Sequence, residues 1–462
     1  MSAGLSVYAL HSRTVFNPMH SIPDDILGLI FEAATCDSVQ LITNQVPWTL
    51  TQVCRRWRAQ ASRICTLWNR IFLDMSTVYK IDSGTLTMLL CLLLERSREA
   101  DLTITWDNMT DQDAMYSRLL TELLQPHTRR MVGLSVRGDT IEHVITGFLH
   151  CSFPRLRSLN IDLGDDLESF PSEVPETHSL ITIFQDCQHL RDVALFSVPN
   201  NFIMVPWESL NTISIDGSGI WIIPKATSVT SLRVSTVWTL ESDQEDTVPL
   251  TSLAHLQSLT LVEERLVRDR GLPAPLFLLS RIHAPSLTTL TIGLETMGAV
   301  VIPEFPPLPS TLVNLGVIGN MTFGPIDPET IPTIIRFLER VHVHVKTLYL
   351  EGYVVRVLAS AWVNNPLLFP AVTNLRLRWA RAFAEEGIRL RRAVMTREVL
   401  RESGERIVPL EEIRVYRGWS ISQDTRIDFY NIREKEPEIW QTELPHLQIN
   451  IQFMDFEDQH EF

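Results

Sequence analysis

Two histidines two residues apart, His342 and His344 in Val-His-Val-His-Val, have the spacing of a metal site. On a strand, alternate side chains share a face, so both imidazoles can meet one cation. No third ligand stands nearby in sequence, and a solvent-facing pair is the simpler reading. His189 and His283 precede apolar strand patterns and read as loop-capping residues. The cysteines are Cys36, Cys54, Cys65, Cys91, Cys151 and Cys187. No two lie two or three apart, which argues against a structural zinc or a disulfide framework. Their apolar settings suit thiols acting as small hydrophobes in a reducing compartment. The phosphate-cradling glycine loops, the Gly-x-Ser-x-Gly elbow and the His-Glu-x-x-His pair are all absent. The chain is therefore expected not to be an enzyme and to need no cofactor or metal.

Arginine gathers at 379–406, in Trp-Ala-Arg-Ala-Phe-Ala-Glu-Glu-Gly-Ile-Arg-Leu-Arg-Arg and onward. The periodicity predicts a long helix there. Interleaved glutamates make it a salt-bridged surface helix, with an acidic or phosphorylated target as the second reading, because guanidinium forks suit phosphate. The chain as a whole is acidic, with a net charge of −15 over 462 residues. That balance disfavours nucleic acid and anionic membranes as partners, since both need a basic surface. The strongest apolar run, Leu86 to Leu94, is shorter than the roughly 20 residues of a membrane span. The first 20 residues lack a secretory pattern, so cytoplasm or nucleus is the expected location. Lysine is scarce, with only Lys80, Lys225, Lys346 and Lys435.

The elements that would position any site begin after a loose leader at 1–20. In Ser-Ile-Pro-Asp-Asp-Ile-Leu-Gly-Leu-Ile-Phe, Ser21 can cap a helix and Pro23 suits its first turn. Asp24 and Asp25 complement the positive end of the helix dipole. Ile22, Ile26, Leu29, Ile30, Phe31 and Ala34 recur at helical spacing. A connector spans 35–47. A second helix is expected over Leu-Thr-Gln-Val-Cys-Arg-Arg-Trp-Arg-Ala-Gln-Ala-Ser-Arg-Ile, with Leu50, Val53, Cys54, Trp57, Ala61 and Ile64 on one face. Thr-Leu-Trp-Asn-Arg-Ile-Phe-Leu-Asp-Met supplies a third short packing element.

Taken in order, Pro-Asp-Asp-Ile-Leu-x-x-Ile-Phe, Val-Cys-Arg-Arg-Trp-Arg and Leu-Trp resemble the F-box family, especially its form in mushroom-forming fungi. The likeness covers 21–75 and departs in Ile22, where leucine is common, and in a long first connector. The resemblance implies docking to a Skp-type adaptor and, through it, a cullin–RING ubiquitin ligase. Short helices expose more apolar surface than they can bury alone, and docking covers the surplus. Carried over by position, the adaptor-binding candidates are Ile22, Pro23, Ile26, Leu27, Ile30 and Phe31, then Val53, Cys54, Trp57, Leu67 and Trp68. Some must be internal core, and Trp57 and Trp68 are as suited to core as to contact.

Residues 83–99 read as a helix and Leu102-Ile104-Trp106 as a strand. An apolar-x-x-apolar-x-apolar unit then recurs from Met131-Leu134-Val136 and Leu156-Leu159-Ile161 to Leu410-Ile413-Val415 and a weaker Leu444-Leu447-Ile449. Recurring strands of this kind mark a solenoid. The pattern resembles leucine-rich repeats, but the buried asparagine position is filled only by Asn320. The expected fold class is α+β: an N-terminal three-helix F-box, then an irregular leucine-rich-repeat α/β solenoid with a parallel strand array over 76–455. The alternative is an α/β domain whose strands merely share an alternation. An acidic tail closes the chain at 456–462. The implied role is that of a receptor bridging the ligase and an unknown protein target, or a scaffold that docks without degradation.

Overall fold

A computed structural model of the chain describes residues 22–35, 39–40, 46–109, 114–138, 144–145, 147–163, 181–198, 202–236, 249–263, 274–294, 308–319, 330–341, 344–379, 384–417 and 447–453. The leader, Ser21, Cys36, His342, Asn320 and the acidic tail lie outside these residues. The fold is mixed α/β, built on parallel strands, and it divides into two compact units, Met1–Phe153 and Pro154–Phe462.

The first unit opens with α1 (Asp24–Ala34), α2 (Trp48–Val53) and α3 (Arg55–Arg63). The cap position of α1 is Pro23, which has no side-chain acceptor to offer. Arg56 compensates from α3. Its guanidinium holds Asp24 Oδ1 at 2.6 Å through Nη2 and donates from the same nitrogen to the Ile22 carbonyl. Gln60 Nε2 donates to the Asp24 carbonyl at 2.9 Å.

The single second helix expected from periodicity is in fact two. Cys54 is extended, with φ −158° and ψ 172°, and separates α2 from α3. No glycine or proline marks the break. It is held by two side-chain pairings. Arg58 Nε donates to the Thr51 carbonyl at 2.7 Å, satisfying an orphan acceptor at the end of α2. Cys54 Sγ accepts the Trp57 N–H at 3.4 Å. The break turns Val53 outward, away from the buried Leu50 and Ala61.

The third packing element is a 3-10 turn, Cys65–Leu67, followed by a strand, β2 (Arg70–Asp74). This strand pairs with β1 (Val39–Gln40) and with β3 (Leu102–Met109), which pairs in turn with β4 (Met131–Gly138). All pairs are parallel. Ile71 stands beside Ile104 and Leu73 beside Trp106, continuing to Leu134 and Val136, all buried. Between strands lie α4 (Met75–Val78), α5 (Ser83–Ser97) and α6 (Ala114–Leu124). Asp82 caps α5 through Thr85 N at 2.9 Å. Arg130 closes its other end, giving Nη2 to Ser97 Oγ at 3.0 Å and Nη1 to the Ala100 carbonyl at 3.0 Å.

The second unit repeats one step. Strands β5 (Ser158–Asp162), β6 (Asp192–Phe196), β7 (Thr212–Asp216) and β8 (Ser231–Thr236) lie side by side in chain order. They continue with β10 (Ser258–Glu263), β12 (Thr289–Leu294), β13 (Asn314–Gly319), β14 (Thr347–Glu351), β15 (Asn374–Trp379), β16 (Glu412–Arg417) and β17 (Gln448–Phe453). A separate parallel pair joins β9 (Thr251–Ser252) and β11 (Ile282–His283). The predicted parallel strand array is present. The order never reverses among the described strands, so no topological switch point of a doubly wound sheet arises.

The apolar triplets align rung by rung. Leu159, Val193, Ile213 and Leu232 form one row and Ile161, Leu195, Ile215 and Val234 another. The last triplet needs correction. Ile413 pairs with Ile449 and Val415 with Ile451, so the strand residues are Ile449 and Ile451, and Leu447 sits before them. The tandem of apolar residues there allows two registers, and pairing with β16 selects the later one. Where triplets are close, 3-10 turns connect them, at Trp207–Ser209 and Gly217–Lys225. Where they are farther apart, helices do: α7 (Ala274–Arg281), α8 (Thr330–Val341), α9 (Val354–Asn364) and α10 (Ala384–Glu402).

In place of side-chain asparagines, backbone carbonyls join successive rungs. The carbonyl of Arg191 accepts the N–H groups of both Asn211 and Thr212. Asn211 does the same for Thr230 and Ser231, Thr230 for Gln257 and Ser258, and Gln257 for Thr288 and Thr289. The pattern runs on through Thr288, Val313, Lys346 and Thr373. Threonine hydroxyls reinforce it, as Thr288 Oγ1 does on the Gln257 carbonyl at 3.0 Å.

Candidate functional site

Helix α1 carries two apolar stripes. Leu27 and Phe31 point inward and are fully buried, with the Phe31 ring 5.0 Å from Trp57 in an edge-on arrangement. Ile26, Leu29 and Ile30 face the other way and are 45%, 62% and 46% exposed. Val53, at the end of α2, is 58% exposed. Monomeric surfaces scatter apolar residues singly. Three large aliphatics at i, i+3 and i+4 of one helix have the spacing used by helices seated in a partner's groove.

The sequence-based docking candidates therefore separate into groups. Pro23, Ile26, Ile30 and Val53 are exposed. Ile22, Cys54 and Trp57 are half-buried. Leu27, Phe31, Leu67 and Trp68 are core, and hold the helices rather than offer surface. Trp68 donates from Nε1 to the Ala61 carbonyl at 2.8 Å and meets Trp48 edge-on at 5.1 Å. The Arg96 guanidinium lies 4.3 Å over Trp68, and its burial lowers its proton affinity. Leu29 was missed by positional carry-over, although a helical projection places it on the same face, beside Ile26 on the side away from Ile30.

The second unit offers a different surface. Between the buried rows, alternate strand residues point to the opposite face. One row of them across β10, β12 and β13 is small, Thr260, Thr291 and Gly316. Across β14, β15 and β16 they become Tyr349, Arg376 and Arg414, adjacent in register, with Glu351 beside Arg378. Tyr349 donates from its hydroxyl to Glu351 Oε2 at 2.5 Å. Burial, and then the Glu351 charge, push the Tyr349 phenol up, so it remains a neutral donor. Arg378 Nη1 is 3.6 Å from Glu351 Oε1, and Arg414 Nε donates to Glu412 Oε1 at 2.6 Å.

The arginine-rich segment is α10, and Trp379 belongs to β15 rather than to the helix. Arg397 is buried and Arg401 pairs with Glu398 at 2.8 Å. His344 is exposed ahead of β14, and no group of three or more metal-type ligands occurs among the described residues. No helix among them is long and apolar enough to cross a membrane.

The cysteines are not alike. Cys91 is exposed on α5, contrary to its apolar sequence setting, whereas Cys187 is buried and its thiol is pushed up to about 11 by that burial. A thiolate is the reacting species in alkylation. Under iodoacetamide at pH 8, Cys91 is expected to be modified in the native chain and Cys187 only after unfolding. Peptide mass spectrometry over a time course checks the order, and early loss of Cys187 would contradict it.

Comparison of the chain with protein-family models and with curated proteins finds no match.

Proposed function

We propose that the chain is the substrate-recognition subunit of a Skp–cullin–F-box type ubiquitin ligase. In this reading residues 21–75 are an F-box that docks the adaptor, and an irregular leucine-rich solenoid binds a protein target in cytoplasm or nucleus. The observation that carries it is the second apolar stripe of α1. A helix that already commits Leu27 and Phe31 to its own core has left Ile26, Leu29 and Ile30 uncovered. The residues that resemble an F-box fall, in order, on this same helix, on the two after it and on the 3-10 turn that follows them. The sequential, in-register parallel strands are the layout a solenoid needs. The chain itself performs no chemistry. It holds a target near a charged ubiquitin carrier, and tethering raises the effective concentration of the two.

Covering a half-exposed aliphatic gains on the order of 1 kcal/mol, and an aspartate in its place adds a desolvation penalty. Ile26→Asp with Ile30→Asp is therefore expected to weaken binding to a Skp-type adaptor by about 100-fold. The melting temperature should stay near that of the parent, because both positions face solvent. Co-purification and calorimetry with the recombinant adaptor measure this. Undiminished adaptor binding by the double variant would overturn the docking assignment. A target that binds the chain but does not accumulate when the chain is removed would point to scaffolding without degradation.

A further inference from the structure

Helix α10 shows solvent a face that is apolar in its middle and charged at its ends. Leu390, Ala393, Val394 and Arg397 point inward and are buried. Arg392, Met395, Thr396, Val399 and Glu402 point outward and are exposed, Val399 to 64%. At about 100° per residue these five fall within roughly one third of the helix circumference. Alternating steps of three and four residues lead from Arg392 to Met395, Val399 and Glu402, the spacing of a coiled-coil seam. Beside this face, Val363 near the end of α9 is exposed. So is Leu367, in the loop whose Pro366 and Leu368 carbonyls accept from Arg397.

The two end charges decide what fits. Glu398 and Arg401 pair with each other on the inner side, whereas Arg392 and Glu402 have no ion-pair partner among the described residues. About 15 Å of helix separates Arg392 from Glu402, so they cannot meet within one chain. Their midpoint along the axis is Arg397, and so is the midpoint of Met395 and Val399. A second α10 laid antiparallel about that level therefore matches the first. Each Met395 faces the partner's Val399 and each Arg392 faces the partner's Glu402, twice over by symmetry. A parallel pair would set like charge beside like charge at both ends, which is unfavourable. A strongly charged ligand finds no net charge on this face, because Arg392 and Glu402 cancel.

We propose that this face of α10 is a homodimer interface, across which two chains pair their α10 helices antiparallel about a two-fold axis. The strand array of the second unit is then displayed twice on one particle, and a partner with two binding segments gains by avidity. The inference uses no residue of the α1 docking stripe, so either conclusion can fail while the other stands.

Sedimentation velocity on the full chain, from about 1 to 100 μM, is the test. The chain is expected to pass from a 52.8 kDa monomer to a particle of twice that mass. Val399→Asp brings two carboxylates close to the axis and is expected to weaken association about 100-fold, with the melting temperature of the dilute chain unchanged. Arg392→Glu alone, or Glu402→Arg alone, makes both end pairs repulsive and should weaken it about tenfold. The two reversals together restore opposite charges in exchanged places and should recover most of the loss, which independent surface effects would not do. A chain that stays monomeric across the range overturns the proposal. So does association that Val399→Asp leaves unchanged, or charge reversals whose losses simply add. Association lost in Ile26→Asp with Ile30→Asp but kept in Val399→Asp would place the contact on α1 and also overturn it. Should Val399→Asp fail to fold, the charge exchange, which touches no apolar residue, decides alone.

Discussion

Arg397→Ala is expected to destabilise the second unit by about 4 kcal/mol, the scale of losing several hydrogen bonds to one buried charge. Arg397 sits on α10 and is almost wholly buried. Its Nη1 donates to the carbonyls of Leu368 and Pro366 at 2.8 and 3.2 Å, and its Nη2 to that of Phe369 at 3.0 Å. The guanidinium lies 4.9 Å from the centre of the Trp362 ring, whose Nε1 also donates to Leu368, at 2.8 Å. Phe369 has φ 58°, a left-handed backbone that a bulky residue rarely adopts. The fork thus fixes an unfavourable loop between α9 and β15. Burial pushes the guanidinium down to about 10, which leaves it charged at neutral pH. Alanine removes the charge, the ring contact and three carbonyl partners together. Lysine should recover little, because one ammonium does not reproduce a planar fork. Urea unfolding, with hydrogen exchange read at the β15 and β16 amides, measures the loss. A cost below about 1 kcal/mol would show that the loop holds itself.

Phe31→Ala should cost the first unit about 3–5 kcal/mol, the usual range for truncating a buried aromatic. Its ring is fully covered and meets Trp57 edge-on. Any adaptor binding would fall with it, through loss of the helix that carries the docking stripe. The contrast with Ile26→Asp and Ile30→Asp is informative. Two stripes of the same helix should separate folding from docking, with thermal melts moving for one and adaptor affinity for the other. A Phe31→Ala chain that melts like its parent would place the ring outside the core.

Much of this architecture was legible in the sequence because the period of a parallel strand is fixed by its pleat. Leu159, Val193 and Ile213 could be aligned on paper because each sits in an alternation with one buried side. The slip at Leu447 shows the limit. Leu447, Ile449 and Ile451 alternate, so Leu447 with Ile449 or Ile449 with Ile451 could form the strand pair, and only pairing with Ile413 and Val415 decides. The extended residue at Cys54 left no local trace, since its causes are an arginine four residues on and a carbonyl three residues back. The two-faced character of α1 was hidden for a related reason. Apolar identity marks both stripes equally, and burial distinguishes them. The arginines of β15 and β16 left no such mark, because they occupy positions between the apolar ones of the repeat, which the pattern does not constrain.

The carbonyl ladder of the second unit has an evolutionary consequence. Where asparagine side chains hold rungs together, register depends on keeping one amino acid at one place. Here the acceptors belong to Arg191, Asn211, Thr230, Gln257, Thr288, Val313, Lys346 and Thr373, residues with little in common chemically. What they share is a peptide group, which any substitution preserves, and the donors ask only that proline be avoided. Mutation can then rewrite the outward side chains of a rung, or change the length of the connector behind it, without disturbing its neighbours. Such a lattice is a permissive substrate for divergence, in which recognition can change quickly while the frame that displays it stays the same.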